Sequence, residues 1–154
     1  MSRMTFRPHG RNLRKGRYSQ DNQIYHVISS TYERLPVFSD LYTGRLFVKA
    51  LIHEQKSVQT LAYVLMPDHF HWLMQLCPGA DLSESVGRVK SASARQLNKH
   101  LGRKGPIWQS GFYDHAVRKD EDIRDIARYI VANPLRAGLV KSMVDYPLWD
   151  AIWV

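Results

Sequence analysis

The 154-residue chain contains one cysteine, Cys77, so an internal disulfide and a multi-cysteine zinc site are both excluded. Cys77 is read as a small buried residue without chemistry. No apolar run approaches the roughly 18 residues needed to cross a bilayer, and no apolar stretch follows the basic N-terminus as a secretory leader requires. A soluble, cytoplasmic protein is expected. Internal repeats and interdomain linkers are missing too, and the length suits one domain. Acidic residues are in short supply, with 14 Asp+Glu against 22 Lys+Arg and a formal net charge of +8. This excess points to a polyanionic partner, nucleic acid first. A membrane surface fits less well, because no predicted helix pairs a basic face with a bulky aromatic one.

Residues 1–18 carry Arg3, Arg7, Arg11, Arg14, Lys15 and Arg17 with little apolar content, which predicts a flexible basic arm able to lie along phosphates. A single domain is expected over 19–154. Its first strand runs from Gln23 to Thr31, β-branched and aromatic on both faces, with His26 read as a packing residue. Ser39 or Asp40 caps a helix to about Gln55, with Leu41, Phe47, Val48, Leu51 and Ile52 on its core side. A second strand over 57–66 turns at Pro67-Asp68 into a third that starts at His69. Asp81 and Glu84 resemble a capping box opening a helix to about His100. On that helix Leu82, Val86, Val89, Ser93 and Leu97 fall on one side, with Arg88, Arg95 and Lys99 roughly opposite. Arg103 and Lys104 in the following loop add positive charge. A short strand over 113–117 precedes a helix from about Asp120 to Pro134, with Ile123, Ile126, Ala127 and Ile130 as its apolar face. In the tail, Leu139, Val140, Trp149, Ile152 and Trp153 are expected to anchor the chain to the body. The order β-α-β-β-α-β followed by α is that of a ferredoxin-like α+β domain, an antiparallel sheet with two helices on one face plus a C-terminal helix.

The third strand carries the most distinctive chemistry. Alternation puts His69, His71, Leu73 and Gln75 on one face and Phe70, Trp72 and Met74 on the other. Imidazoles about 7 Å apart along a strand can lean together on one metal ion, or they can be two polar residues on a half-solvated sheet. Tyr129 and Asn133, four apart, share one flank of the last helix. Alone, each has an ordinary structural reading.

Taken together, Met66-Pro67-Asp68-His69-Phe70-His71, Trp108-Gln109 and the run from Tyr129 through Ile130-Val131-Ala132-Asn133-Pro134 to Val140 resemble the signatures of single-tyrosine HUH transposases. More closely they resemble the bacterial branch associated with repetitive extragenic palindromes, the REP-associated tyrosine transposases. The resemblance covers about residues 20 to 154; Pro67-Asp68 departs from the Pro-Asn common in relatives, a change both turn-forming residues accommodate. It implies that His69, His71 and Asn133 hold a divalent metal, Mg²⁺ or Mn²⁺, and that Tyr129 is the nucleophile. The implied substrate is single-stranded DNA with a palindromic hairpin, cut through a 5′-phosphotyrosine intermediate. The resemblance further implies a protein working at the bacterial nucleoid and leaves two assemblies open, a dimer that exchanges the tyrosine helix as in some relatives and a monomer as in the REP-associated branch. The basic residues Arg11, Arg14, Lys15, Arg17, Arg88, Arg95, Lys99, Arg103 and Lys104 are the candidate DNA contacts. A tyrosine hydroxyl must lose its proton during attack, and the sequence does not identify the base.

A non-catalytic module that holds hairpin DNA or structured RNA would draw on the same basic and aromatic residues, and it would be indifferent to loss of His69 and His71. A small zinc hydrolase has less support, since no further His, Asp or Glu stands at a ligand spacing.

Overall fold

The computed structural model describes residues 20–153. The arm residues Arg11, Arg14, Lys15 and Arg17 lie outside them. Among these residues the strands and α-helices follow in the order β1 (Ile24–Ser30), α1 (Leu41–His53), β2 (Val58–Met66), β3 (His69–Leu76), α2 (Leu82–Leu101), β4 (Tyr113–Ala116), α3 (Ile123–Val131), α4 (Asn133–Arg136) and β5 (Trp149–Ala151). The strands form one antiparallel sheet in the order β4-β1-β3-β2-β5. This is the α+β, ferredoxin-like arrangement with an added fifth strand. No helix among the described residues is long and apolar enough to cross a membrane.

The strand alternation divides the core in two. Tyr25, Val27, Phe70, Trp72, Met74 and Leu76 meet Leu46, Phe47 and Leu51 of α1 and Leu82, Val86, Val89 and Leu97 of α2. On the other face, Val64, Met66 and Leu73 meet Ile126, Ala127 and Ile130 of α3. A bulge between Thr60 and Ala62 breaks the alternation of β2, so Leu61 and Ala62 both join the α3 side while Thr60 accepts a hydrogen bond from the buried Trp72 indole at 2.9 Å.

The local signals act through identifiable contacts. The Asp40 carboxylate accepts from the Thr43 amide at 2.8 Å to start α1, and Asp81 accepts from the Glu84 amide at 2.8 Å to start α2. Gly102, at a φ of 62°, ends α2 in the left-handed conformation that glycine adopts without steric penalty. Leu82, Val86, Val89, Ser93 and Leu97 are all buried, and Arg88, Arg95 and Lys99 are exposed, as the helical projection requires.

Four expectations are corrected. On α1, Leu41 and Ile52 are exposed rather than packed, because Leu46, Phe47, Ala50 and Leu51 already fill the stripe facing the sheet. The last helix begins only at Ile123. Asp122 caps it by accepting from the Arg124 and Asp125 amides, whereas Glu121 lies in the preceding turn and binds His115. Nor does Pro134 end the helical chain. The backbone bends at Ala132, and Pro134 sits in the first turn of α4, where its missing N–H is unneeded. In the tail, Leu139, Ile152 and Trp153 are exposed; Trp149 is half-buried against the α3-side core as expected, and the fully buried anchors are Leu148 and Ala151. Leu148 packs directly over Gly44 of α1, where an added Cβ would stand 2.5 Å from a leucine methyl, and β5 continues the sheet beyond β2.

Candidate active site

The β2–β3 hairpin sets the site. The Asp68 carbonyl accepts from the Thr31 amide at 2.9 Å and the Pro67 carbonyl from the Phe38 amide at 3.1 Å, so the turn is pinned from both sides. His69 is the first residue of β3, and His71 lies two further on, on the same face, with ring centroids 5.2 Å apart and planes at 71°. Phe70 between them is fully buried on the α1/α2 side against Phe47 and Trp108, which locks the strand's rotation.

Each imidazole is oriented through Nδ1. The Asp68 Oδ1 lies 2.8 Å from His69 Nδ1, and its Oδ2 lies 3.2 Å from Arg34 Nε. Arg34 also donates to Ser30 Oγ at 2.8 Å. To place that guanidinium the chain holds Glu33 and Arg34 at φ of 54° and 57°, left-handed values that disfavour residues with a Cβ. The Nδ1 of His71 lies 2.9 Å from Nε2 of His26, a fully buried residue of β1. Among the described residues no hydrogen bond occupies Nε2 of His69 or of His71. A carboxylate, carbonyl or water behind the imidazole is the usual support of a metal-binding histidine; His69 has a carboxylate there, whereas His71 faces a second imidazole.

Electrostatics keep these rings uncharged, the form that can donate a lone pair to a metal. Burial lowers the pKa of His71 well below its ordinary value, helped by neighbouring His26, His69 and Arg136. Burial also lowers that of His69, with Asp68 opposing. His26 is pushed down to about 3 by burial, with a smaller contribution from His115.

Helix α3 packs on this same sheet face, and α4 follows it across β2. Tyr129 and Asn133 are half-buried. The Arg136 guanidinium stacks 3.9 Å from the centre of the Tyr129 ring, while its charge bears on His71. Arg136 thus links the tyrosine to the histidines. Asn133 donates through Nδ2 to the Ile130 carbonyl at 2.9 Å, which leaves Oδ1 as the side chain's acceptor atom. Among the described residues no group of three or more His, Cys, Asp or Glu could hold a metal ion. The available donors are two imidazole nitrogens and a carboxamide oxygen. That set fits a divalent ion whose remaining positions are taken by water and a phosphate.

The basic candidates are placed elsewhere. Arg88, Arg95 and Lys99 stand on α2, across the sheet from the histidines. Arg88 is engaged by the buried Glu54 carboxylate through Nε at 2.9 Å and Nη2 at 2.7 Å. Arg95, Lys99 and Lys104 are exposed and form no ion pair among the described residues; Arg103 is half-buried and reaches the Pro106 carbonyl at 3.4 Å. Trp108 is a core residue whose indole donates to Ser93 Oγ at 3.0 Å. Sequence reasoning passes over Arg34, Asp68 and Arg136 as site residues and reads His26 as packing. The face of His26 follows from alternation, but its meeting with His71 depends on strand register, for which the sequence carries no signal.

Residues 19–133 match the family model "Transposase IS200 like". The chain is 36% identical over 86 residues to a REP-associated tyrosine transposase of Escherichia coli K12, covering 56% of this chain and 50% of that protein. It is 33% identical over 104 residues to a provisionally named REP-associated tyrosine transposase of Haemophilus influenzae, covering 61% of this chain and 59% of the relative. The chain therefore spans between half and three-fifths of the length of these two relatives. A solved REP-associated tyrosine transposase bound to a REP hairpin superposes with a TM-score of 0.68 at 27% identity, covering 86% of this chain and 78% of that one. On the motif-bearing sheet, the tyrosine helix and these matches, the chain belongs to the IS200-like transposase family and is similar to its REP-associated tyrosine transposases.

Proposed function

We propose that this protein cleaves and rejoins single-stranded DNA beside a hairpin formed by a palindromic repeat, with Tyr129 as nucleophile. The observation that carries the reading is the packing of α3 on the histidine-bearing face of the sheet, with Ile126, Ala127 and Ile130 against Val64, Met66 and Leu73, which brings the helix of Tyr129 and the Arg136 stacked on it to the histidine strand within one chain. This supports a monomer in which each chain supplies its own tyrosine. The relative bound to a REP hairpin supports the same class of substrate here.

His69 and His71 through Nε2, with Asn133 through Oδ1, would hold a divalent ion, Mg²⁺ or Mn²⁺. Such an ion supplies charge neutralisation at a non-bridging phosphoryl oxygen. Asp68 and Arg34 orient His69. The Tyr129 oxygen forms a bond to phosphorus as the bond from phosphorus to the 3′ oxygen breaks. The phenolic proton is lost and the 3′ oxygen gains one, leaving a 5′-phosphotyrosine and a free 3′-hydroxyl. The bond count is conserved, so the step reverses on rejoining without an external energy source. Arg136 adds positive charge where the attacking oxygen and phosphate meet. Arg95, Lys99 and Lys104, exposed and unpaired among the described residues, would contact hairpin phosphates.

Incubation with hairpin-bearing single strands and Mg²⁺ or Mn²⁺ should yield a covalent protein–DNA band on denaturing gels. Tyr129→Phe should abolish it while leaving hairpin binding intact. A band that persists in Tyr129→Phe refutes the nucleophile. Binding without any band in the wild-type protein, unaffected by His69→Ala and His71→Ala, identifies a non-catalytic hairpin-binding module instead.

A further inference from the structure

His26 is the one fully buried histidine of the sheet, and its side chain meets one described polar partner: Nε2 stands 2.9 Å from Nδ1 of His71, while its own Nδ1 is buried with no partner. Two neutral imidazoles joined in this way have two possible proton arrangements. In one, His26 Nε2–H donates to His71 Nδ1; His71 then carries its proton on Nε2, and that nitrogen has no lone pair to offer. In the other, His71 Nδ1–H donates to His26 Nε2, His26 carries its own proton on the buried Nδ1, and the lone pair of His71 Nε2 is open for coordination. Only the second arrangement is compatible with a metal at His71. It requires an acceptor behind His71, and the carboxylate that serves His69 does not serve here.

We infer that His26 is a positioning residue that holds His71 in the Nδ1–H tautomer by accepting its proton donor, so that Nε2 of His71 is presented to the metal. The assignment rests on the metal-site reading above. A neutral ring suits this place: a carboxylate behind His71 would be a buried charge on a sheet row already shared with Ile28 and Leu73, whereas imidazole accepts one hydrogen bond without carrying charge. His26 is fully buried and its Nε2 is within hydrogen-bond reach of His71 Nδ1, the geometry the acceptor role needs. The two histidines of the motif are therefore supported differently, His69 by an acidic turn residue shared with Arg34 and His71 by a second imidazole on the neighbouring strand.

Long-range ¹H–¹⁵N spectra of the metal-free protein with ¹⁵N-labelled histidine report the tautomer of each ring. The expected result for the wild type is His71 protonated on Nδ1; protonation on Nε2 overturns the assignment, and this measurement needs no variant. In His26→Leu, His71 should move to the Nε2–H form and Mn²⁺ affinity, measured by titration with the metal alone, should fall about 10- to 100-fold. His26→Gln, which restores an acceptor near the Nε2 position, should recover affinity to within about threefold of wild type. Equal Mn²⁺ affinity in His26→Leu and wild type overturns the assignment while leaving the metal site standing. No saturable Mn²⁺ binding in the wild type overturns the metal site itself, and the role of His26 with it.

Discussion

Replacing Arg88 by alanine tests whether its guanidinium serves the fold or the nucleic acid. Glu54, at the end of α1, is 2% exposed, and its two carboxylate oxygens lie 2.7 to 3.1 Å from Nε and Nη2 of Arg88 on α2. The Arg88 side chain is 47% exposed, so the partners are unequal. Removing Glu54 returns Arg88 to water, a loss of about 1 kcal/mol. Removing Arg88 leaves a carboxylate inside the α1/α2 contact without its counter-charge, which destabilises by about 3 kcal/mol at neutral pH. With a urea m-value of about 1.5 kcal/mol/M, Arg88→Ala should lower the unfolding midpoint by about 2 M, and Glu54→Gln by less than half as much. Tryptophan fluorescence follows the transition, since Trp72 and Trp108 are buried in the affected core. A cost for Arg88→Ala no larger than that for Glu54→Gln would refute this account and return Arg88 to the set of free phosphate contacts.

Three further outcomes follow from the site. In chelator, stability should fall as the pH drops below 6.5, because an unfolded histidine gains its proton there whereas folded His26 resists protonation down to about 3; His26→Leu should reduce the fall in urea midpoint between pH 7 and 5 without abolishing it, since His69 and His71 are lowered as well, and an unchanged slope would contradict the buried neutral ring. Asp68→Asn keeps an acceptor for His69 Nδ1–H and should cleave hairpin DNA within a few-fold of wild type, whereas Asp68→Ala should lose about 10- to 100-fold in Mn²⁺ affinity by titration. If Arg95 and Lys99 contact phosphates, the double alanine variant should reduce the slope of log affinity against log salt by about 2 for duplex-stem contacts, without altering Tyr129 adduct chemistry once bound.

The order of elements was legible because it depends on local rules. Asp40 and Asp81 announce helix starts, Pro67-Asp68 announces the hairpin, and the alternation from His69 to Leu76 assigns each side chain to a sheet face. The motif histidines, Tyr129 and Asn133 stood out for the same reason: each group lies within a few residues of its fellow, on one strand or around one helix end. The end of the chain was harder to read. Exposed Leu139, Ile152 and Trp153 are as apolar as the buried Leu148, and the selection of Leu148 comes from the space that Gly44 leaves on α1.

By itself, then, the amino-acid sequence determined the α+β order, the facing of His69 and His71 and the basic excess, since periodicity, capping and charge are properties of neighbouring residues. Tertiary structure alone decided that His26 stands behind His71, that Arg34 reaches Asp68, that Arg136 covers Tyr129 and that Glu54 engages Arg88. Of these, three join separate elements and the fourth spans the bend between α3 and α4. Strand register, a left-handed turn and helix packing set them, and none of the three is written in the spacing of residues along the chain.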